Sequence, residues 1–138
     1  MRRRNDGTGE VSTPIGPYRP VVRAGPWLVL SGQLGLDQQQ DPAGNAPGAP
    51  RLVEGGTVSQ LTQALANGAR LLEGEGSSLG DVVKATVFLV DMEEYGAVNE
   101  AYVRAFGTHR PARTVVAVAA LPMGAAVEVE LWAYAPTE

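Results

Sequence analysis

The apolar positions of this chain fall into seven runs whose period changes along the sequence. Tyr18–Ala24 and Trp27–Leu36 are short apolar stretches parted by Gly25-Pro26, with Gly32 inside the second. Both read as strands, and a glycine in a strand interior often marks a bulge or the close approach of a ligand or another backbone. From Leu61 the period becomes helical. Leu61, Leu65, Gly68 and Leu72 share one face, Thr57 with Gln60 has the form of a capping box, and Gly74 and Gly76 end the run. Val82–Val90 alternates as a strand. Asp91 and Glu94 open a second helix with the stripe Tyr95, Val98, Tyr102 and Phe106, stopped at Gly107. Thr114–Leu121 and Ala126–Ala135 are β-branched and apolar, and Pro122-Met123-Gly124 between them predicts a turn. A hairpin centred on Met123 would set Glu128 opposite Val118.

The order β-β-α-β-α-β-β predicts an α+β mixed sheet with two helices on one face. Val82/Val83, Val87/Phe88 and Val115/Val116 place apolar groups on both faces of that sheet. The face without helices therefore needs other cover, and a closed ring of identical subunits is the usual solution. The Pro-, Gly- and Gln-rich loop 37–56 is the other possible cover, but it is poor in apolar residues. Residues 1–13 are polar and aperiodic, which predicts a mobile tail ahead of a single domain spanning 14–138.

Composition narrows the chemistry. The chain has no cysteine and one histidine, His109. Disulfides, thiolate nucleophiles, cysteine–zinc sites and two-histidine metal centres are thereby excluded. No Asp/Glu cluster has the spacing of a calcium loop either, so neither metal nor cofactor is expected. His109, in Gly-Thr-His-Arg-Pro, reads as a solvated turn residue. Net charge is −4, and three of the eleven positive residues are Arg2–Arg4, so the body is acidic and no nucleic-acid partner is expected. No apolar run reaches the ~18–20 residues of a membrane span, and no signal-type segment follows the basic start. A cytoplasmic protein without membrane association is the expectation.

Six motifs in order resemble one family. They are Pro14-Ile15-Gly16-Pro17-Tyr18, Ser31-Gly32-Gln33, the strand Asp81–Leu89, Val98-Asn99-Glu100-Ala101-Tyr102, Pro111-Ala112-Arg113-Thr114 and Leu121–Glu130. Together they are similar to the signature of the Rid (YjgF-type) imine/enamine deaminases, from about Pro14 to Ala135. The resemblance implies a chorismate-mutase-like fold assembled as a homotrimer with ligand clefts between subunits. It also implies hydrolysis of 2-imino acids and enamines to 2-oxo acids and ammonia.

A 2-imino acid carries a carboxylate beside an electrophilic carbon, and arginine is the side chain whose planar fork matches a carboxylate. Arg113 corresponds to the family's substrate arginine, and Glu128 to its water-positioning carboxylate, with Glu130 on the same strand face as a neighbour able to raise its pKa. Tyr18, Ser31, Gly32 and Asn99 match the remaining cleft positions. Ser31 and the Gly32 amide are possible donors, Tyr18 a stacking partner and Asn99 a loop-fixing residue, while Tyr102 and Phe106 read as core. The plainer alternatives are an interface ion pair for Arg113 and solvated edge-strand glutamates for Glu128 and Glu130. Two departures from the family stand out: Val115 where many bacterial members have cysteine, and a short Gly107–Arg110 connection. They leave open a dedicated pathway enzyme acting on a larger imine, or a ligand-binding module without turnover.

Overall fold

The computed structural model describes residues 16–37 and 50–137. The expectations for tail 1–13, for Pro14 and Ile15, and for most of loop 37–56 lie outside the described residues. The strands are β1 (Val21–Ala24), β2 (Trp27–Leu30), β3 (Gln33–Leu34), β4 (Val82–Leu89), β5 (Ala112–Ala117) and β6 (Val127–Tyr134), with helices α1 (Gly56–Gly74) and α2 (Tyr95–Phe106). The predicted order holds, and the predicted second strand divides at Ser31-Gly32 into β2 and β3.

One six-stranded mixed sheet results, in the order β1-β2-β6-β4-β5, with β3 also on β6. β4 and β5 run parallel, as the crossover through α2 requires, and the other pairs are antiparallel. The expected hairpin about Met123 does not form, because β4 lies between β5 and β6. The Val118 N–H donates to the Leu89 carbonyl, and the Val90 N–H to the Ala126 carbonyl. Both long apolar strands thus satisfy their backbones on β4. It also follows that β6, which carries Glu128 and Glu130, is an interior strand, so these glutamates do not stand on a sheet edge.

Strand parity sorts the side chains. Leu28 and Leu30, Ala85, Val87 and Leu89, and Val127, Val129, Leu131 and Ala133 face the helices and are almost wholly buried. α1 covers them with Leu61, Ala64, Leu65, Leu71 and Leu72, and α2 with Val98, Ala101, Tyr102 and Phe106. Gly68 lets α1 approach closely, since a Cβ there would stand 2.9 Å from Leu131 Cδ1. Gly35 does the same for the chain leaving β3, where a Cβ would meet the Gln60 Cα at 2.5 Å.

Two polar side chains of α1 are buried for a structural reason. Asn67 donates to the carbonyls of Leu34 (3.2 Å) and Leu36 (3.1 Å), serving backbone that the short β3 leaves unpaired. Gln60 accepts from the Ala126 N–H at 2.8 Å. The expected Thr57–Gln60 capping box is therefore absent, and α1 begins behind Gly55 with no side-chain cap.

The opposite face has no helix among the described residues. It presents Trp27 and Val29, Lys84, Thr86 and Phe88, and Glu128, Glu130, Trp132 and Tyr134. Trp27 packs edge-on against Trp132 (6.3 Å) and Tyr134 (5.1 Å), and all three remain exposed.

Candidate functional site

Arg113 sits opposite Ala85 in the parallel β4–β5 pairing, so its side chain leaves on the helix side of the sheet. β5 is the last strand there, and the guanidinium meets α2 at the sheet edge. Its Nη2 donates to the Tyr95 hydroxyl at 3.2 Å. Its Cζ lies 4.8 Å from the centre of the Tyr102 ring and 5.7 Å from that of Tyr95. Aromatic faces attract a guanidinium and hold it in plane without neutralising it. No carboxylate of the described residues stands within ion-pair distance of Arg113.

Beside this arginine opens a cavity of about 270 Å³, lined by Asn99, Tyr102, Val103, Arg110, Pro111 and Arg113. Among the described residues the Tyr102 hydroxyl and Asn99 Oδ1 are buried here without a hydrogen-bond partner, a costly state that a polar partner would relieve. Burial raises the Tyr102 pKa, partly offset by the positive charges of Arg113 and Arg110, so the phenol stays protonated at neutral pH.

The short Gly107–Arg110 connection is tied into the fold. Gly107 takes a positive φ of 64° at the end of α2, and Arg110 Nη1 donates back to the carbonyls of Gly107 and His109. His109 Nε2 lies 2.7 Å from the Val82 carbonyl, and its ring packs near Phe106. It is a half-buried link between the end of α2 and β4, not the solvated residue its neighbours in sequence suggest.

Glu128 occupies the other face of the sheet. It pairs with Phe88 of β4 and Leu34 of β3, and its carboxylate leans over the backbone at Gly32. Burial raises its pKa above the ordinary carboxylate range, and the charge of Glu130 two residues along acts in the same direction. Gly32 thus stands next to Glu128, while the Ser31 hydroxyl donates to the Arg19 carbonyl at 2.7 Å and the Ser31 N–H to the Pro20 carbonyl. Through these bonds the segment carrying exposed Tyr18 is fixed at this end of the sheet.

The matched residues therefore form two groups within one chain. Arg113 and Asn99 line the helix-side cavity; Glu128, Gly32 and Ser31 belong to the open face, with Tyr18 on the neighbouring segment. One contributor to the first group, Tyr95, is misread from the sequence, and a second, Tyr102, has a further role beside the one expected. Tyr95 has the spacing of a core residue but stands exposed against Arg113, and Tyr102 is core and arginine cradle at once. The one available signal is the pair of phenolic hydroxyls in an otherwise apolar stripe. Val115 follows Arg113 on the same side and packs against the core. Among the described residues no group of three His, Asp or Glu side chains could hold a metal, and no helix is long and apolar enough to cross a membrane.

A two-helix α+β sheet whose edge arginine lies against two aromatic rings beside a cavity frames the candidate site. The family model described as Endoribonuclease L-PSP matches residues 9–135. The 2-iminobutanoate/2-iminopropanoate deaminase of mouse is 41% identical over 123 residues, covering 89% of this chain and 84% of the relative. The human protein of that name is 37% identical over 128 residues, covering 93% and 87%. The crystal structure of RidA from an Antarctic Psychrobacter superposes with a TM-score of 0.78 at 35% identity, covering 92% of this chain and 96% of that one. The chain belongs to this family, the YjgF/Rid family.

Proposed function

We propose that this chain hydrolyses reactive 2-imino acids and their enamine tautomers, of the 2-iminobutanoate and 2-iminopropanoate type, to 2-oxo acids and ammonia. The observation that carries this reading is Arg113, a guanidinium oriented by Tyr95 and Tyr102 beside a cavity, with no carboxylate of the described residues paired to it. The names of the mouse and human relatives support it. Arg113 takes the substrate carboxylate through two parallel N–H···O bonds. Glu128 orients water and accepts its proton as the oxygen attacks the imine carbon. Glu128 returns that proton to the nitrogen, giving the carbinolamine, then takes the hydroxyl proton and delivers it to the amine as the C–N bond breaks, so ammonia leaves and the C=O of the 2-oxo acid forms. A carboxylate whose pKa lies above its ordinary value suits both the taking and the giving.

Because Arg113 and Glu128 emerge on opposite faces of the sheet, one chain does not bring them to one imino acid. In this reading the chain, residues 14–138 acting as one unit, forms a homotrimer through its uncovered aromatic face. Each cleft then takes Arg113 and Asn99 from one subunit and Glu128, Gly32, Ser31 and Tyr18 from the next. No cofactor enters the scheme. The matched family's ribonuclease description is the competing reading, and the acidic balance of the chain weighs against it.

The test is to generate 2-iminobutanoate or 2-iminopropanoate with a dehydratase or an amino-acid oxidase and follow loss of the imine. Acceleration that scales with the concentration of this protein is expected. A rate equal to that of buffer at high protein concentration rejects the deaminase reading.

A further inference from the structure

We propose that Gly32 is a positioning residue for the carboxylate of Glu128, and that its missing side chain is the space in which that carboxylate lies. This rests on the reading of Glu128 as the group that orients water. A Cβ built on Gly32 would overlap Glu128 Oε2 outright and stand 2.8 Å from its Cδ and 3.1 Å from its Cγ. Those distances cannot coexist with the observed rotamer. The glycine is not demanded by its backbone: Gly32 is absent from the positive-φ positions, which are Gly25, Gly55, Gly56, Gly76, Gly107 and Gly124 among the glycines. Space alone requires it.

The carboxylate is also held by little else. Among the described residues Glu128 makes no hydrogen bond or ion pair, and its neighbours on the adjoining strands are Phe88 and Leu34. Its carboxylate occupies the space that a side chain on Gly32 would need. On the same face Glu130 stands two residues along β6, and Lys84 lies four positions along β4 from Phe88 with its ammonium engaged by Thr114 Oγ1 at 2.7 Å. Neither pulls the carboxylate toward Gly32.

The contrast with Gly35 sharpens the assignment. At Gly35 an added methyl meets the backbone of α1, which cannot turn aside, so that glycine serves folding. At Gly32 it meets the movable end of one side chain. Gly32→Ala should fold normally, keep its own N–H for any ligand, and misdirect Glu128. A misplacement of about 1 Å in a reacting group can cost roughly 100-fold in rate.

The experiment compares Gly32→Ala, Glu128→Gln and the double variant in the imine-hydrolysis assay, with Tm measured for each. The expected result is a Tm near wild type for Gly32→Ala, a kcat lower by roughly 100-fold and a KM within about twofold. Adding Gly32→Ala to Glu128→Gln should cost nothing further, because the carboxylate it misdirects is already gone. Wild-type kcat in Gly32→Ala overturns the proposal. So does a loss that recurs in full on the Glu128→Gln background, and so does a drop in Tm as large as that of Gly35→Ala, which would make Gly32 a packing glycine. If Glu128→Gln itself retains wild-type kcat, the role of Glu128 is refuted, an outcome distinct from the others.

Discussion

Mixing two inactive variants should restore a defined fraction of the activity. In one chain Arg113 is opposite Ala85 and Glu128 is opposite Phe88, three residues further along β4. At roughly 3.3 Å per residue and 4.8 Å per strand spacing, the two backbones stand about 14 Å apart. Their side chains then leave on opposite faces and diverge. A 2-imino acid has its carboxylate bonded directly to the imine carbon, so no single chain can hold the one end and attack the other. With clefts formed between neighbours, Arg113→Ala and Glu128→Ala trimers are each inactive. Dissociated together in equal amounts and reassembled at random, about one cleft in four receives both intact residues. The mixture should therefore show about a quarter of wild-type imine hydrolysis, and unmixed controls carried through the same treatment should show none. Recovery indistinguishable from those controls, in samples shown to have exchanged subunits, would refute the inter-subunit cleft.

Tyr95→Phe removes the hydroxyl that receives Arg113 Nη2 but keeps the ring. A hydrogen bond to a charged group is worth about 1.5 kcal/mol, less at this exposed position, so KM should rise by up to roughly tenfold with kcat nearly unchanged. The raised pKa of Glu128 places the acid limb of the pH–rate profile above the ordinary carboxylate range, and Glu130→Gln should move that limb to lower pH. The same shift has a consequence for stability. The native state binds this proton more tightly than the unfolded chain, so the contribution is complete below the ordinary carboxylate pKa and is lost as pH rises through the raised value. Glu128→Gln should accordingly unfold at a higher temperature than wild type at pH 7 in thermal melts. Gly35→Ala forces a methyl into the backbone of Gln60 and should cost roughly 1–3 kcal/mol in denaturant unfolding.

The local patterns of this chain were sufficient for the elements and insufficient for their neighbours. Leu61, Leu65, Gly68 and Leu72 lie on the buried face of α1 as their spacing predicts, and the alternation over 82–90 is realised as strand β4, Val82–Leu89. Which strand pairs with which is a long-range matter. Nothing between Thr114 and Ala135 announces that β4 will insert itself between the last two strands, and the Met123 turn favours the hairpin that does not form. The side-chain parity of Arg113 relative to Glu128 depends on that insertion and is invisible without it. Helical spacing likewise cannot tell that α2 overhangs the sheet edge at its first turn, where Tyr95 turns from core to cradle. Gln60 looks like a capping residue because its other partner, the Ala126 N–H, is 66 positions away in the chain. The residue types that point to the chemistry, an arginine after Pro-Ala and a paired glutamate, were legible, and their arrangement in space was not.

The central claim is that Arg113 holds a substrate carboxylate, and kcat/KM for 2-iminobutanoate in Arg113→Ala and Arg113→Lys tests it most directly. Loss of a charged hydrogen-bonded pair in a desolvated cleft costs roughly 2–5 kcal/mol, so Arg113→Ala should lose about 30-fold to several-thousand-fold while keeping the wild-type Tm and assembly. Arg113→Lys should recover little, because one ammonium cannot reproduce two parallel bonds. Near-wild-type kcat/KM in both variants would contradict the account.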